Sequence, residues 1–221
     1  MKQSSSKNDT YGYKLAYQLA LGQLAKIEDI EQQCDKSDSR YDESRNAVTL
    51  KYFNQSCVFT LPPDFDISLE GKEQPLPLRE KILVLHYFLQ AKGTPVSNHK
   101  ISYKEMVDGI NYFPTFYART IKPMVEYFGN EPQKFLEVAK TLGGYKTDYG
   151  DVAVTFDAFS RVPVTWVLWK ADEEFPAEGS ILFDSTIPDY LTSDDIHTLT
   201  ETTIWKLVKT LKAGGGNPGN N

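Results

Sequence analysis

Acidic side chains are concentrated in one stretch of the sequence, WVLWKADEEFPAEGSILFD. Asp172, Glu173 and Glu174 follow one apolar run, and Asp184 closes the next. If the two runs are paired strands, Asp172 and Asp184 could lie near the same edge of a sheet. Carboxylate oxygens gathered in this way suit Mg²⁺, Ca²⁺ or Mn²⁺, and a partly buried pair could also provide an acid and a base. The four acidic residues are therefore candidate metal ligands or bases of a metal-dependent enzyme.

Aromatic side chains flank the same acids and support a second hypothesis. Trp166 and Trp169 precede the acids, Phe175 follows them, and Pro176 stiffens the turn. Aromatic walls beside fixed polar groups are typical of ligand pockets, because they exclude water and orient a guest. Two simpler interpretations stay open: the acids could form a solvated turn that keeps a sheet edge soluble, and at least one tryptophan could be ordinary core.

A histidine lies in the apolar segment LREKILVLHYFLQAKG, which predicts a buried central helix. The neutral imidazole of His86 could bind a metal ion, or the iron or cobalt of a tetrapyrrole, through one nitrogen. A buried histidine that is hydrogen-bonded to a carbonyl is the commoner arrangement. His86, Trp166, Trp169 and Phe175 are therefore the candidate residues for binding a heme or a corrinoid.

Composition limits the classes of function. The net charge of −6 over 221 residues argues against a nucleic-acid partner, since phosphate backbones are held by a basic face. The two cysteines, Cys34 and Cys57, cannot alone supply a four-thiolate zinc or iron–sulfur site, although they could pair as a disulfide. The sequence has no apolar leader and no apolar run long enough for a membrane span, so we expect a cytoplasmic protein without membrane contact.

Hydrophobic periodicity predicts a mixed α+β domain with a largely antiparallel sheet. Apolar residues at helical spacing indicate a first helix that ends near Gln32, and AVTLKYF with CVFTL indicates a β-hairpin. DVAVTFDAF, VPVTWVLWK and SILFD have the pattern of strands, and DDIHTLTETTIWKLVKTL that of a final helix. We expect a single domain over residues 9–212, with flexible tails at 1–8 and 213–221.

Several of these segments resemble an uncharacterised prokaryotic family, domain of unknown function 3786. The resemblance covers most of residues 12–211. It lies in "LHYF", "ISYKEMVDGINYFPTFYARTIKPMVEYFG", "LGGYKTDYGDVAV", "RVPVTWVLWKADEEFPAEGSILFDSTIPDYL" and "DDIHTL". Some members of the family resemble fusions to a small cysteine-rich domain similar to that of the corrinoid iron–sulfur protein, and this chain departs from that arrangement because it has only two cysteines.

The resemblance implies a module that works beside a redox cofactor. We therefore expect a non-enzymatic cofactor-binding module, for a corrinoid or another tetrapyrrole, that acts beside an iron–sulfur or corrinoid redox protein. Two alternatives stay open: a protein-interaction domain without a small ligand, and a metal-dependent enzyme that uses the acidic turn. The sequence contains no complete catalytic motif and predicts no oligomeric state.

Overall fold

The structure is a computed structural model that describes residues 7–214, with side chains from residue 11 onward. In chain order the helices and strands are α1 (Lys7–Leu24), α2 (Ile30–Ser37), β1 (Arg40–Asp42), β2 (Ala47–Tyr52), β3 (Gln55–Thr60), β4 (Ile67–Leu69), α3 (Leu78–Gln90), β5 (Lys100–Ser102), α4 (Gly109–Arg119), α5 (Ile121–Phe128), α6 (Pro132–Lys140), β6 (Tyr145–Thr147), β7 (Val152–Phe159), β8 (Val162–Trp169), β9 (Glu178–Asp184) and α7 (Ser193–Gly214). Most of the two expected tails, 1–8 and 213–221, lies outside the described residues. The predicted α+β class is confirmed.

The described residues form two compact units. The first unit contains the residues up to Pro95, together with Phe159–Arg161 and Asp189–Leu191. The second unit contains the others, and it therefore includes β5, β8, β9 and the helices from α4 onward. None of the described helices is both long enough and apolar enough to cross a lipid bilayer.

The first unit is built on a four-stranded antiparallel sheet with the order β1-β2-β3-β4. The predicted hairpin is confirmed, since β2 pairs with β3 from Ala47 opposite Thr60 to Tyr52 opposite Gln55. Along β2 the side chains alternate: Leu50 and Tyr52 are buried, whereas Lys51 is exposed. This period of two gives the sheet one face toward the core and one face toward solvent.

Helix α3 supplies much of the apolar core of the first unit. Tyr87 stacks on Phe159 with 4.1 Å between the ring centroids, and its hydroxyl donates to the carbonyl of Ser37 at 2.7 Å. Burial raises the pKa of Tyr87 well above its ordinary value. The predicted helix is therefore confirmed as a core element, and its buried tyrosine hydroxyl is satisfied by a backbone carbonyl.

The first helix is shorter than the sequence pattern predicts. Helix α1 ends at Leu24, and a new helix, α2, begins at Ile30. The Oδ1 atom of Asp29 accepts the N–H of Gln32 at 2.8 Å, so Asp29 caps α2. The expected end near Gln32 was wrong because an N-cap residue follows the apolar pattern and starts a second helix.

The second unit is built on a five-stranded sheet with the order β5-β9-β8-β7-β6. Strands β8 and β9 are antiparallel, with Trp169 opposite Glu178 and Val164 opposite Phe183. Strand β5 pairs with the far end of β9, where Lys100 is opposite Asp184. The predicted strands β7, β8 and β9 and the final helix α7 are therefore confirmed.

Candidate functional site

The two tryptophans of β8 lie in different environments. Trp166 is fully buried, and Trp169 is 41% exposed. They are three positions apart, so the alternation of a strand directs their side chains to opposite faces of the sheet. Trp166 is therefore a core residue, and it cannot form one aromatic wall with Trp169.

The acidic turn between β8 and β9 is exposed to solvent. The Oδ1 atom of Asp172 accepts the N–H groups of Glu174 at 2.9 Å and Phe175 at 2.7 Å, and the N–H of Asp172 donates to the carbonyl of Phe175 at 2.9 Å. Glu173 and Glu174 are exposed, and Phe175 is 64% exposed. Asp172 therefore shapes the turn with its own carboxylate, as aspartate does in Asx-turns.

Asp184 lies far from that turn. It ends β9, whereas the turn precedes β9, and the seven residues from Glu178 to Asp184 span about 20 Å of strand. The expectation that Asp172 and Asp184 share an edge was wrong, because the two strands meet as a hairpin whose turn lies at the other end. Within residues 11–214, no three side chains of His, Cys, Asp or Glu come together as a metal site.

Asp184 is instead a buried hydrogen-bond acceptor. Its Oδ1 atom accepts from the N–H and hydroxyl of Ser97, at 3.1 and 2.8 Å, and from the N–H and hydroxyl of Thr186, also at 3.1 and 2.8 Å. Burial raises the pKa of Asp184, but these hydrogen bonds outweigh burial and hold the pKa below its ordinary value. The carboxylate therefore ties the segment before β5 to the end of β9.

His86 lies on α3 in the first unit, whereas Trp166, Trp169 and Phe175 belong to the second unit. The imidazole is partly exposed and does have an interaction partner. Cys34 and Cys57 are both buried and free, and burial raises the pKa of Cys57 to about 12. Neither cysteine is therefore a ready thiolate ligand at neutral pH.

A pocket of about 420 Å³ opens on the second unit, and Trp169 forms part of its lining. Helix α4 contributes Phe113 and Tyr117, and the 3₁₀ turn after β5 contributes Lys104. Glu178, directly opposite Trp169 in the strand pair, provides a carboxylate in the same lining. One residue of the predicted aromatic set therefore lines a real pocket, together with aromatic side chains from elsewhere in the chain.

Buried aromatic rings form the inner part of this lining, and exposed ones form its outer part. Tyr103 and Phe116 are buried, and their rings stack with 4.0 Å between centroids and 10° between planes. The ring centroids of Phe113 and Tyr117 are 6.1 Å apart, and the Nζ atom of Lys104 lies 4.1 Å from the ring centroid of Phe113. The lining therefore combines flat apolar surfaces with one cation held over a ring.

Short local structures hold these walls in place. The carboxylate of Glu105 accepts the N–H and the hydroxyl of Ser102 at 2.7 and 2.8 Å, which fixes the 3₁₀ turn that carries Lys104. These hydrogen bonds lower the pKa of Glu105. At Gly179, an added Cβ would lie 2.4 Å from Cε of Met124, so glycine allows α5 to pack closely on β9.

A loop also supports Trp169 directly. Gly150 has a φ of +53°, and a Cβ there would lie 3.2 Å from Cε2 of Trp169. The N–H of Lys170 donates to Oδ2 of Asp151 at 2.8 Å, which joins the same loop to the end of β8. The indole of Trp169 is therefore held against a backbone rather than left to rotate freely in solvent.

Sequence reasoning missed Tyr103, Lys104, Phe113 and Tyr117. The signal was the spacing of Phe113, Phe116 and Tyr117, which lie three and four residues apart on one helix. Only Phe116 of the three is fully buried, so the core does not account for all of them. An excess of aromatic residues on one helical face was the available indication of a binding surface.

A family model described as Domain of unknown function (DUF3786) matches residues 29–205. The chain belongs to this family. The DUF3786 match spans both units and includes every element that lines the aromatic pocket. Searches of the curated proteins and of the solved structures found no match.

Proposed function

We propose that the second unit is a non-enzymatic cofactor-binding module that holds a flat conjugated ring in the aromatic pocket. A tetrapyrrole is the class of ring that we propose. The observation that carries this proposal is the position of Trp169, which lines a pocket of about 420 Å³ together with Phe113 and Tyr117. Pockets of roughly 300–1,000 Å³ with mostly apolar walls and a few fixed polar groups are typical of cofactor sites.

The exposure of the outer rings supports a stacking mode of binding. Trp169 and Tyr117 are 41% and 42% exposed, so a flat guest would cover apolar surface that now faces water. Stacking of a flat ring on an aromatic side chain contributes about 1–3 kcal/mol in nucleic-acid complexes. Lys104 adds a cation that would pair with an acidic substituent on the ring.

The lining fits the ring of a tetrapyrrole better than it fits the metal in that ring. Among the described residues that line the pocket there is no histidine, cysteine or methionine. The usual axial ligands of heme iron are therefore missing, and only tyrosine remains as a less common ligand. We therefore propose that affinity depends on the flat ring, and that a puckered corrin ring binds less tightly than a porphyrin.

The proposal includes a redox partner. An iron–sulfur cluster is usually held by four cysteine thiolates, and these 221 residues contain two cysteines, both of them buried. Electron transfer to a bound ring would therefore use an iron–sulfur or corrinoid protein that docks with this chain.

Titration of the purified protein with hemin, metal-free protoporphyrin and cobalamin tests the proposal. We expect a saturable absorbance change with both porphyrins, similar affinities for the two, and an affinity that falls about tenfold or more in Trp169→Ala. Trp205→Ala is the matched control, because Trp205 is 47% exposed on α7 and does not line the pocket. His86→Ala should leave porphyrin affinity unchanged.

Two results would overturn the proposal. One is the absence of saturable binding of any of the three rings at stoichiometric concentration. The other is an equal loss of affinity in Trp169→Ala and Trp205→Ala, which would show that porphyrins adsorb to any exposed indole.

A further inference from the structure

A polar pocket of about 410 Å³ opens on the first unit. Arg40 and Lys51 contribute its two cations, and Ser39, Thr49 and Ser56 contribute hydroxyl groups. Its composition is unusual for this acidic chain, whose net charge is −6. The pocket is therefore a local concentration of hydrogen-bond donors.

Strand pairing explains how these side chains meet. Arg40 is opposite Thr49 in the pairing of β1 with β2, and Lys51 is opposite Ser56 in the pairing of β2 with β3. Thr49 and Lys51 are two residues apart on β2, so all four side chains lie on one face of the sheet. Diagonal neighbours on a sheet face are about 7–8 Å apart, which places the Arg40 and Lys51 positions within reach of one small ligand.

The opposite face of β2 carries the core. Leu50 and Tyr52 are buried there, whereas Arg40 and Lys51 are exposed. Among the side chains of residues 11–214, no carboxylate lies at ion-pair distance from Arg40. Asp38 is the carboxylate among the described lining residues, so the lining carries two cations and one anion.

A second arginine of the same unit has an unsatisfied donor. Arg161 follows Ser160, which lines the pocket, and its Nε atom is buried without a hydrogen-bond partner among the described residues. A buried, unpaired guanidinium donor is costly, because it loses water without gaining an acceptor. Arg161 therefore adds a donor without a hydrogen-bond partner next in sequence to a residue of the lining.

We propose that this pocket binds a small molecule through a phosphoryl group. The guanidinium of Arg40 donates two parallel hydrogen bonds to phosphoryl oxygens, and Lys51 adds a point charge. The hydroxyls of Thr49 and Ser56 satisfy further oxygen lone pairs. A nucleic-acid backbone is not the source of the phosphoryl group, because the acidic chain would repel a long polyanion.

Calorimetric titration of the full chain with inorganic pyrophosphate at low salt tests this proposal. We expect saturable binding, with affinity lowered about tenfold in Arg40→Gln and about threefold in Lys51→Gln. Arg40→Lys should lie between Arg40→Gln and the parent, because it keeps the charge and loses the two-pronged geometry. Melting temperatures confirm that each variant is folded.

Arg45→Gln and Lys72→Gln are the matched controls, because both residues are exposed cations of the same unit outside the pocket lining. They should leave pyrophosphate affinity within twofold of the parent. The proposal is overturned if the parent protein shows no saturable pyrophosphate binding, or if Arg45→Gln weakens binding as much as Arg40→Gln. Equal affinity for sulfate would also overturn it, since that result would show general anion attraction without selection for phosphoryl groups.

Discussion

The two pockets have similar volumes, about 420 and 410 Å³, but different lining residues. The pocket of the second unit is lined by aromatic rings such as Trp169 and Phe113, whereas the pocket of the first unit is lined by Arg40, Lys51 and hydroxyl groups. Pocket size alone therefore predicts no ligand. The types of side chain predict a flat apolar guest for one pocket and a phosphoryl group for the other.

The origin of each lining also differs. In the first unit, neighbouring strands of one sheet place Arg40, Thr49, Lys51 and Ser56 side by side through their register. In the second unit, a helix, a 3₁₀ turn and a strand end each supply part of the wall. The aromatic pocket therefore depends on packing between elements, and it should be the more sensitive of the two to loss of that packing.

Asp184→Ala should have the largest effect. The substitution removes four hydrogen bonds to a buried carboxylate and frees the segment that leads into β5, which carries one wall of the aromatic pocket. We expect the free energy of unfolding, measured by urea denaturation, to fall by about 3 kcal/mol. Glu173→Ala, at an exposed acid of the turn, should change it by less than about 0.5 kcal/mol. Equal effects would contradict the structural role of Asp184.

The stability that Asp184 contributes should also depend on pH. Its folded-state pKa lies below the ordinary value, so its contribution is complete above the unfolded-state pKa of about 3.9 and is lost as pH falls through the folded-state pKa. The difference in unfolding free energy between the parent and Asp184→Ala should therefore shrink as pH falls below the unfolded-state pKa of about 3.9. A difference that stays constant below that pKa would show that the carboxylate charge contributes nothing.

A substitution in one pocket should not change the affinity of the ligand that binds in the other pocket. Trp169→Ala should weaken porphyrin binding about tenfold or more and leave pyrophosphate binding unchanged, and Arg40→Gln should do the reverse. Parallel titrations of both variants with both ligands measure this. If either variant weakens the binding of both ligands, the two pockets do not have the separate chemistries that their linings indicate.

Lys104→Gln should have the smallest effect. Lys104 is exposed, so its charge is screened by water and salt, and its contribution to binding a ring with acidic substituents should be about threefold at low ionic strength. A porphyrin ester without free carboxylates should bind the parent and Lys104→Gln equally. An equal loss of affinity for the ester and for the free acid would show that Lys104 acts through packing on Phe113 instead of through its charge.

The long elements of the fold could be predicted from the sequence, and the short ones could not. Strands β7 and β8 and helix α7 each carry enough residues for their hydrophobic period to be clear. Strands β1, β4, β5 and β6 have three residues each, and only pairing with distant partners stabilises them. Such pairing depends on tertiary contacts, so it cannot be predicted from local hydrophobic periodicity.

The sequence also predicted only part of the candidate site, because the rest depends on strand register and tertiary contacts. The aromatic residues near the acidic turn were visible, but only strand register separates Trp169, which lines the pocket, from Trp166, which is core. The opposite wall comes from Phe113 and Tyr117, about fifty residues earlier in the chain, so no local pattern could join them to Trp169. The high density of acids in the turn favoured a metal site, but the Asp172 carboxylate accepts hydrogen bonds from the N–H groups of the turn itself.

Nitrogen–proton NMR spectra of the amide and indole groups, recorded during a porphyrin titration, test directly whether the aromatic pocket is the binding site. The chain has three indole N–H groups in three environments: Trp166 is buried, Trp169 lines the aromatic pocket, and Trp205 is exposed elsewhere on the second unit. We predict that the Trp169 indole resonance shifts in proportion to bound porphyrin, while those of Trp166 and Trp205 change little. A larger shift at Trp205, or no shift at any of the three, would contradict the claim that the aromatic pocket is the binding site.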